Sequence, residues 1–346
     1  MATDLKSLNY EELTEYVLGL GEPKFRAKQL YEWMHVKRVD SLEAMTNLPK
    51  SFKEKLSEDG IYTTLTPAAV LVSKIDGTRK YLWRLSDGNV IESVFMRYHH
   101  GNSVCISSQV GCRMGCKFCA STLDGLARNM TPSEMLEQIY GIEREVGEKI
   151  SNVVVMGCGE PMDNFDNLLK FIELLTDEHG MHMSQRNLTV STCGIVPRIL
   201  QLAKKHLQIT LAISLHASSN EQRKELMPIA ETFSIDKLLD ACRTYFEETG
   251  RRITFEYCVV AGGNDTLEDA TRLSNLIQDM NCHVNLIPVN PIEERTFKQP
   301  TMDAIERFKN RLEKNGINVT IRREMGRDIN GACGQLRKSY IAEENS

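Results

Sequence analysis

The stretch Ser103-Val104-Cys105-Ile106-Ser107-Ser108-Gln109-Val110-Gly111-Cys112-Arg113-Met114-Gly115-Cys116-Lys117-Phe118-Cys119 runs a strand into a loop of three cysteines. It also marks where the chain changes character. From about residue 100 the pattern becomes strand, loop, helix, repeated. Strands are predicted at 104–107, 152–156, 187–191, 209–214, 252–260, 283–288 and 318–321. Helices are predicted between most of them, at 132–146, 167–177, 198–205, 235–249, 266–280 and 302–315. Such alternation specifies a parallel sheet with helices outside it. Six or seven units suit a full or partial β/α barrel, whose chemistry sits at the C-terminal ends of the strands.

Two smaller regions precede the barrel. Residues 1–60 read as a helical accessory domain, with apolar residues at helical spacing from Tyr10 to Leu18 and a second helix opened by Glu22-Pro23 and carrying Phe25, Leu30, Tyr31 and Trp33-Met34. Lys24, Arg26, Lys28, Lys37 and Arg38 make it locally basic, as a solvated helix face or as an RNA-contacting patch. Residues 61–98 alternate and are rich in strand formers, at 62–66, 78–85 and 90–96. Asp76-Gly77 and Asp87-Gly88-Asn89 supply turns, so a short antiparallel linker is expected there. Residues 99–346 form the core barrel and a C-terminal segment.

Composition narrows the class. The 346 residues carry 42 Lys+Arg against 47 Asp+Glu, a net charge of −5, which excludes coating nucleic acid by bulk charge but leaves local patches open. No stretch approaches the ~20 apolar residues of a membrane helix. The acidic, polar start is neither a signal nor a transit peptide, so a cytoplasmic monomer is expected. Ten cysteines are too few for a disulfide scaffold, and three of them crowd into eight residues.

That crowding is the strongest chemical signal. Cys112, Cys116 and Cys119 have C-x3-C-x2-C spacing with an aromatic before the last. Three thiolates on one loop suit three irons of a cubane cluster, leaving one iron without a protein ligand. Zinc is the competitor, but it takes four ligands, usually in two close pairs, and no fourth Cys or His lies near downstream. Other strand ends are polar. Gly157-Cys158-Gly159-Glu160-Pro161 lacks the third glycine of a dinucleotide fingerprint, yet its glycines let backbone approach a ligand and Glu160 can accept from an ammonium. Ser191-Thr192-Cys193-Gly194, Ser214-Leu215-His216-Ala217 and Asn285-Leu286-Ile287-Pro288-Val289-Asn290 end three more strands.

The cysteine spacing resembles the signature of the radical S-adenosylmethionine (SAM) superfamily. The motifs Ser-Ser-Gln-Val-Gly-Cys, Met-Gly-Cys-Gly-Glu-Pro, Ile-Ser-Leu-His-Ala, Leu-Met-Pro-Ile, Asn-Leu-Ile-Pro and Ala-Cys-Gly-Gln-Leu resemble the RlmN/Cfr family of dual-cysteine RNA adenosine methyltransferases over nearly the whole chain. The resemblance implies a partial (βα)6-type barrel and a 4Fe–4S cluster on Cys112, Cys116 and Cys119. It implies two SAM molecules per turnover, contacted by Gly159, Glu160, Ser191, Ser214, Leu215, His216 and Asn290. It implies Cys333 as the methyl-carrying cysteine, Cys105 as its resolving partner through a disulfide, and Glu92 as the base. Glu92 shares a strand face with Val90, Val94 and Met96, a partly apolar setting of the kind that raises a carboxylate's pKa.

The implied target is C2 of an adenosine in 23S rRNA, with the adenosine next to the anticodon of some tRNAs as a further one, and flavodoxin or ferredoxin as electron donor. C8 methylation marks the other branch, which carries Cys at Val110, Ala at Pro161 and no proline at Pro288. Cys158 and Cys193 depart from the Met and Ser usual in the C2 branch. Arg251, Arg252, Arg322, Arg323 and Arg327 are candidate phosphate contacts. A zinc-stabilised RNA-binding protein without catalysis is the alternative from another class.

Overall fold

The computed structural model describes residues 2–291 and 295–329. Its core is one sheet of ten strands, joined edge to edge. Seven are parallel: β6 (Gly101–Ile106), β9 (Asn152–Val155), β10 (Leu188–Thr192), β11 (Thr210–Ser214), β12 (Ile253–Val259), β13 (Cys282–Pro288) and β14 (Val319–Ile321). The crossovers carry α4 (Pro132–Val146), α5 (Phe165–Thr176), α6 (Val196–Ala203), α7 (Asn220–Leu226), α8 (Ile235–Thr249), α9 (Leu267–Ile277) and α10 (Met302–Lys314). Six crossovers between seven parallel strands make the partial barrel that the alternation predicts. Helices on one face and side chains within bury β12 along almost its whole length, hence its run of Ile253, Phe255, Tyr257 and Val259.

The antiparallel segment hydrogen-bonds directly onto this sheet. β3 (Thr66–Val72), β4 (Arg79–Arg84) and β5 (Val90–Tyr98) extend it beyond β6. The first of these strands lies at 66–72 rather than 62–66, because the turn at Asp76-Gly77 pairs Val72 with Arg79 and Thr66 with Arg84. Tyr62 and Thr63 instead pack on Lys6, whose ammonium lies 3.9 Å from the Tyr62 ring centroid and donates to the Thr63 carbonyl at 2.7 Å.

The N-terminal region has its own core, including Leu13, Val17, Leu30, Met34, Phe52 and Leu56. Each such side chain contributes about 1.5–3 kcal/mol on burial. They come from α1 (Tyr10–Gly19), α2 (Phe25–Tyr31) and α3 (Lys50–Asp59), with a two-stranded pair β1 (Thr3–Asp4) and β2 (Gly60–Ile61) joining the ends. Asn9 and Glu12 form a capping box that starts α1. The second helix is shorter than its sequence suggests: Trp33-Met34 sit in a π-turn, Glu32–Val36, which carries His35 inward against Tyr140 of α4, Nδ1 to Oη 3.0 Å. Among the described residues no helix is long and apolar enough to cross a membrane.

Candidate active site

A short ribbon absent from the sequence reading shapes the cysteine loop. β7 (Gln109–Gly111) pairs antiparallel with β8 (Leu126–Asn129), so residues 112–125 form a loop tied at its neck. The Cys112 amide donates to the Gly125 carbonyl at 2.8 Å. Gly111 has φ +78° there, and a Cβ on it would lie 2.0 Å from the Gly125 oxygen. Only glycine closes this neck. Cys112, Cys116 and Cys119 all line one cavity of about 730 Å³ at the C-terminal ends of the parallel strands.

All three thiols are free, and burial raises each above its ordinary value, Cys112 up to about 12. Three thiols from one loop, open to one cavity, are the donor set for a cubane cluster with an open corner. A structural zinc site takes four ligands, whereas this loop offers three thiols, the number that a cubane cluster with one open iron takes.

Glu160 faces the same cavity and is buried. Its Oε1 accepts from the Met162 amide at 3.0 Å and its Oε2 from the Cys193 amide at 2.7 Å. Burial pushes its carboxyl above the ordinary value, and these N–H groups oppose the push. A bound ammonium would relieve the same cost. Gly159, at φ +106°, brings backbone so close that a Cβ would meet the Gln109 side chain at 2.5 Å. Gln109 itself ties the two loops together: its Oε1 accepts from the Glu160 amide at 2.8 Å and its Nε2 donates to Asp163 at 3.0 Å. Neither Gln109 nor Asp163 stood out in sequence, since an amide and a carboxylate gain this role only when β7 and the turn after β9 meet.

Ser191, Ser214, His216 and Asn290 line the cavity as well. Ser191 and Ser214 stand 3.5 Å apart, oxygen to oxygen, on neighbouring strand ends. His216 is buried, and desolvation holds its imidazole well below the ordinary value, at about 3. It is neutral, and its Nδ1 accepts from the Cys258 amide at 2.9 Å, which leaves Nε2 carrying the proton. Leu215 does not reach the cavity: its side chain is fully buried, and its amide is engaged by the Glu256 carbonyl at 3.1 Å. Arg223, which sequence did not single out, is buried among backbone carbonyls and donates to those of Cys193 at 2.6 Å, Leu215 at 3.3 Å and Ser214 at 3.4 Å. It binds the ends of β10 and β11 together. Cys158 lies in the turn after β9, where its carbonyl accepts from the Ser108 and Gln109 amides at 2.9 and 3.1 Å.

Cys105 and Glu92 line the same cavity. The surroundings of Glu92 are less apolar than its strand pattern suggests. The Lys80 ammonium lies 3.2 Å from its Oε2, with both side chains almost wholly buried. The alternating pattern of one strand does not reveal which residue its neighbour supplies. Cys333 lies outside the described residues. Of the candidate phosphate-binding arginines, Arg322, Arg323 and Arg327 line the cavity. Arg251 and Arg252 do not, because they precede β12, at the opposite rim, where Arg251 donates to the Ile209 carbonyl at 3.4 Å. In the helical region Arg38 pairs with Glu143 at 2.7 Å, and Lys37 stacks 3.7 Å from the Trp33 ring centroid.

Residues 3–61 match the model of the ribosomal RNA large subunit methyltransferase N-terminal domain, and residues 106–274 match the radical SAM superfamily. Among curated proteins, the "Probable dual-specificity RNA methyltransferase RlmN" of Lachnospira eligens is 64% identical over 341 residues, 99% of this chain and 97% of that one. Its counterpart from Lachnoclostridium phytofermentans is 58% identical over 337 residues, 97% and 95% of the two chains. Among solved structures, a radical SAM methyltransferase from Sphaerobacter thermophilus superposes with a TM-score of 0.93 at 41% identity, covering 96% of this chain and 98% of that one. The cysteine loop, the buried glutamate beside it and near-full-length identity of this order agree: the chain belongs to the RlmN family of radical SAM dual-specificity RNA methyltransferases.

Proposed function

We propose that the protein methylates C2 of an adenosine in 23S rRNA, and the adenosine next to the anticodon of some tRNAs, by way of a methylated Cys333 and a transient protein–RNA adduct. The observation that supports this reading is the convergence of Cys112, Cys116, Cys119, Glu160, Cys105 and Glu92 on one cavity. C2 of adenine is an electron-poor amidine carbon and does not attack a SAM methyl group as a nucleophile. The carbon therefore needs a carrier on the protein. A 4Fe–4S cluster held by Cys112, Cys116 and Cys119 would supply the electron that cleaves SAM reductively, drawn from a flavodoxin or ferredoxin.

The chain's own residues do the rest. Glu160 receives the SAM ammonium, the Ser191 and Ser214 hydroxyls and the His216 Nε2–H offer hydrogen bonds, and Gly159 lets backbone approach. Cys333 takes a methyl group from a first SAM by displacement, its sulfur forming the new bond as S-adenosylhomocysteine leaves. A second SAM is consumed in joining that carbon to the base. Glu92 removes the proton from the adduct carbon, and the unpaired electron left on the adduct would return to the cluster. The Cys105 thiolate then attacks the sulfur of Cys333: the S–S bond forms, the C–S electron pair leaves with the carbon, and that carbon takes up a proton as the methylated base departs. Val110, Pro161 and Pro288 favour C2 over C8. The protein acts as a monomer in the cytoplasm.

The test is anaerobic reconstitution followed by incubation with SAM, reductant and unmodified 23S rRNA or tRNA, with nucleosides resolved by mass spectrometry. The expected product is 2-methyladenosine, lost in Cys333→Ala and Cys112→Ala. A peak of 8-methyladenosine overturns the branch assignment, and zinc in place of iron and sulfide overturns the cluster.

A further inference from the structure

One buried charge beside the cavity has no part in the chemistry above. Lys80 is fully buried on β4, and its ammonium lies 3.2 Å from the Glu92 carboxylate on β5. Strand register explains the meeting. Lys80 pairs with Val94 across β4 and β5, and Val94 pairs with Cys105 across β5 and β6. Paired residues share a face of a sheet, and so do residues two apart. Lys80, Glu92 and Cys105 therefore stand on one face of three adjoining strands. Glu92 and Cys105 line the cavity, whereas Lys80 does not. A buried ion pair contributes little to stability beyond what apolar side chains of similar volume would, so a structural need for packing alone does not call for this lysine.

We propose that Lys80 is a positioning residue for Glu92, pairing with its carboxylate across the strands and aiming it into the cavity to take the proton from the tethered adenine carbon. The proposal rests on Glu92 being the base. In that step the carboxylate gains the proton, the C–H electron pair stays on the base, and Lys80 keeps its own proton. An ion pair becomes a lone cation beside Cys105. The charges facing Cys105 make the consequence directional. Burial raises its thiol, the Glu92 anion raises it further, and Arg322 and Lys80 oppose both. Protonating Glu92 removes the anion and leaves two cations, so proton removal from the adduct prepares the thiolate that resolves it. The other charged groups lining this cavity are Arg323, Glu324 and Arg327 after β14, Glu256 on β12, which also interacts with Arg322, and Glu160 after β9.

Reconstituted full-length enzyme carrying Lys80→Met, Lys80→Arg or Glu92→Gln tests this with two readouts, the pH–rate profile of 2-methyladenosine formation and the protein–RNA adduct on denaturing gels. Lys80→Met should move the acid limb of the profile to higher pH by about one unit and accumulate adduct, and Lys80→Arg should restore both. Lys80→Gln, which keeps a donor toward Glu92, carries the same expectation if Lys80→Met fails to fold by thermal melt. An unshifted profile without adduct in the neutral variants overturns the proposal, as does an equal shift in Lys80→Arg. If Glu92→Gln traps adduct while the neutral Lys80 variants match wild type, Lys80 alone is misassigned. If Glu92→Gln traps none, the base assignment itself falls, and the Lys80 proposal with it.

Discussion

At Gly111 one methyl group decides whether the cysteine loop closes. The left-handed backbone and the 2.0 Å approach to the Gly125 carbonyl act together. Gly111→Ala should therefore destabilise the protein by at least about 2 kcal/mol in urea titration, and iron content after reconstitution should fall sharply. At Glu160 a single charge serves both the backbone and the proposed ligand. Its two carboxylate oxygens accept from different backbone donors, the Met162 and Cys193 amides, so a glutamine keeps one of these bonds and turns its NH2 against the other donor. Glu160→Gln also loses the charge-assisted bond to an ammonium, about 1.5–3 kcal/mol. SAM affinity by equilibrium dialysis should drop by roughly 10- to 100-fold, and the unpaired amide donor should lower stability by about 1–3 kcal/mol.

Among the elements, the turn between β3 and β4 reaches across the sequence to the last described residues. The Ser73 hydroxyl donates to Asp328 Oδ1 at 2.6 Å, and the Lys74 amide donates to its Oδ2 at 2.9 Å. In return the Gly326 amide donates to Asp76 at 3.0 Å. Two carboxylates thus clasp the chain just before the segment bearing Cys333. Hydrogen bonds from these donors hold Asp76 down at about 2 and Asp328 below its ordinary value. Depressed carboxyls stabilise the clasp above their unfolded values of about 4 and lose that contribution as pH falls through the folded ones. At neutral pH, Asp76→Asn or Asp328→Asn should raise hydrogen exchange at 326–328 several-fold without affecting β10 to β12, by mass spectrometry.

On the scale of the whole molecule, the helical region is joined to the barrel through buried charge. Lys6 and Glu137 of α4 are fully buried and 2.6 Å apart, and Arg144 adds a second bond to Glu137 at 2.8 Å. His35, neutral because burial holds it at about 3, and Tyr31, whose hydroxyl donates to Asp177 at 2.6 Å, continue the seam. Lys6→Met leaves Glu137 with Arg144 only, so the loss should be up to about 3 kcal/mol. Calorimetry should show the helical region melting ahead of the barrel, and Lys6→Met with Glu137→Leu should recover part of the difference. This seam fixes how the family's N-terminal domain sits beside a cavity some strands away.

The sequence alone determined the alternation that makes the parallel sheet, because period and turn residues are local properties. It also determined the cysteine loop, the glutamate after β9 and the polar strand ends, because each is a contiguous motif whose chemistry survives in isolation. Tertiary structure decided what depends on pairing between distant segments. The β7–β8 neck needed Gly111 to meet Gly125, and the strand at 66–72 was set by its partner across a turn. Arg251 and Arg252 lay on the far rim because a parallel strand has two ends with different roles. Lys80 reached Glu92 through strand register, and Arg223 reached four backbone carbonyls through packing. A charge 12 residues away in sequence, like that of Lys80 from Glu92, becomes a neighbour only when the sheet forms.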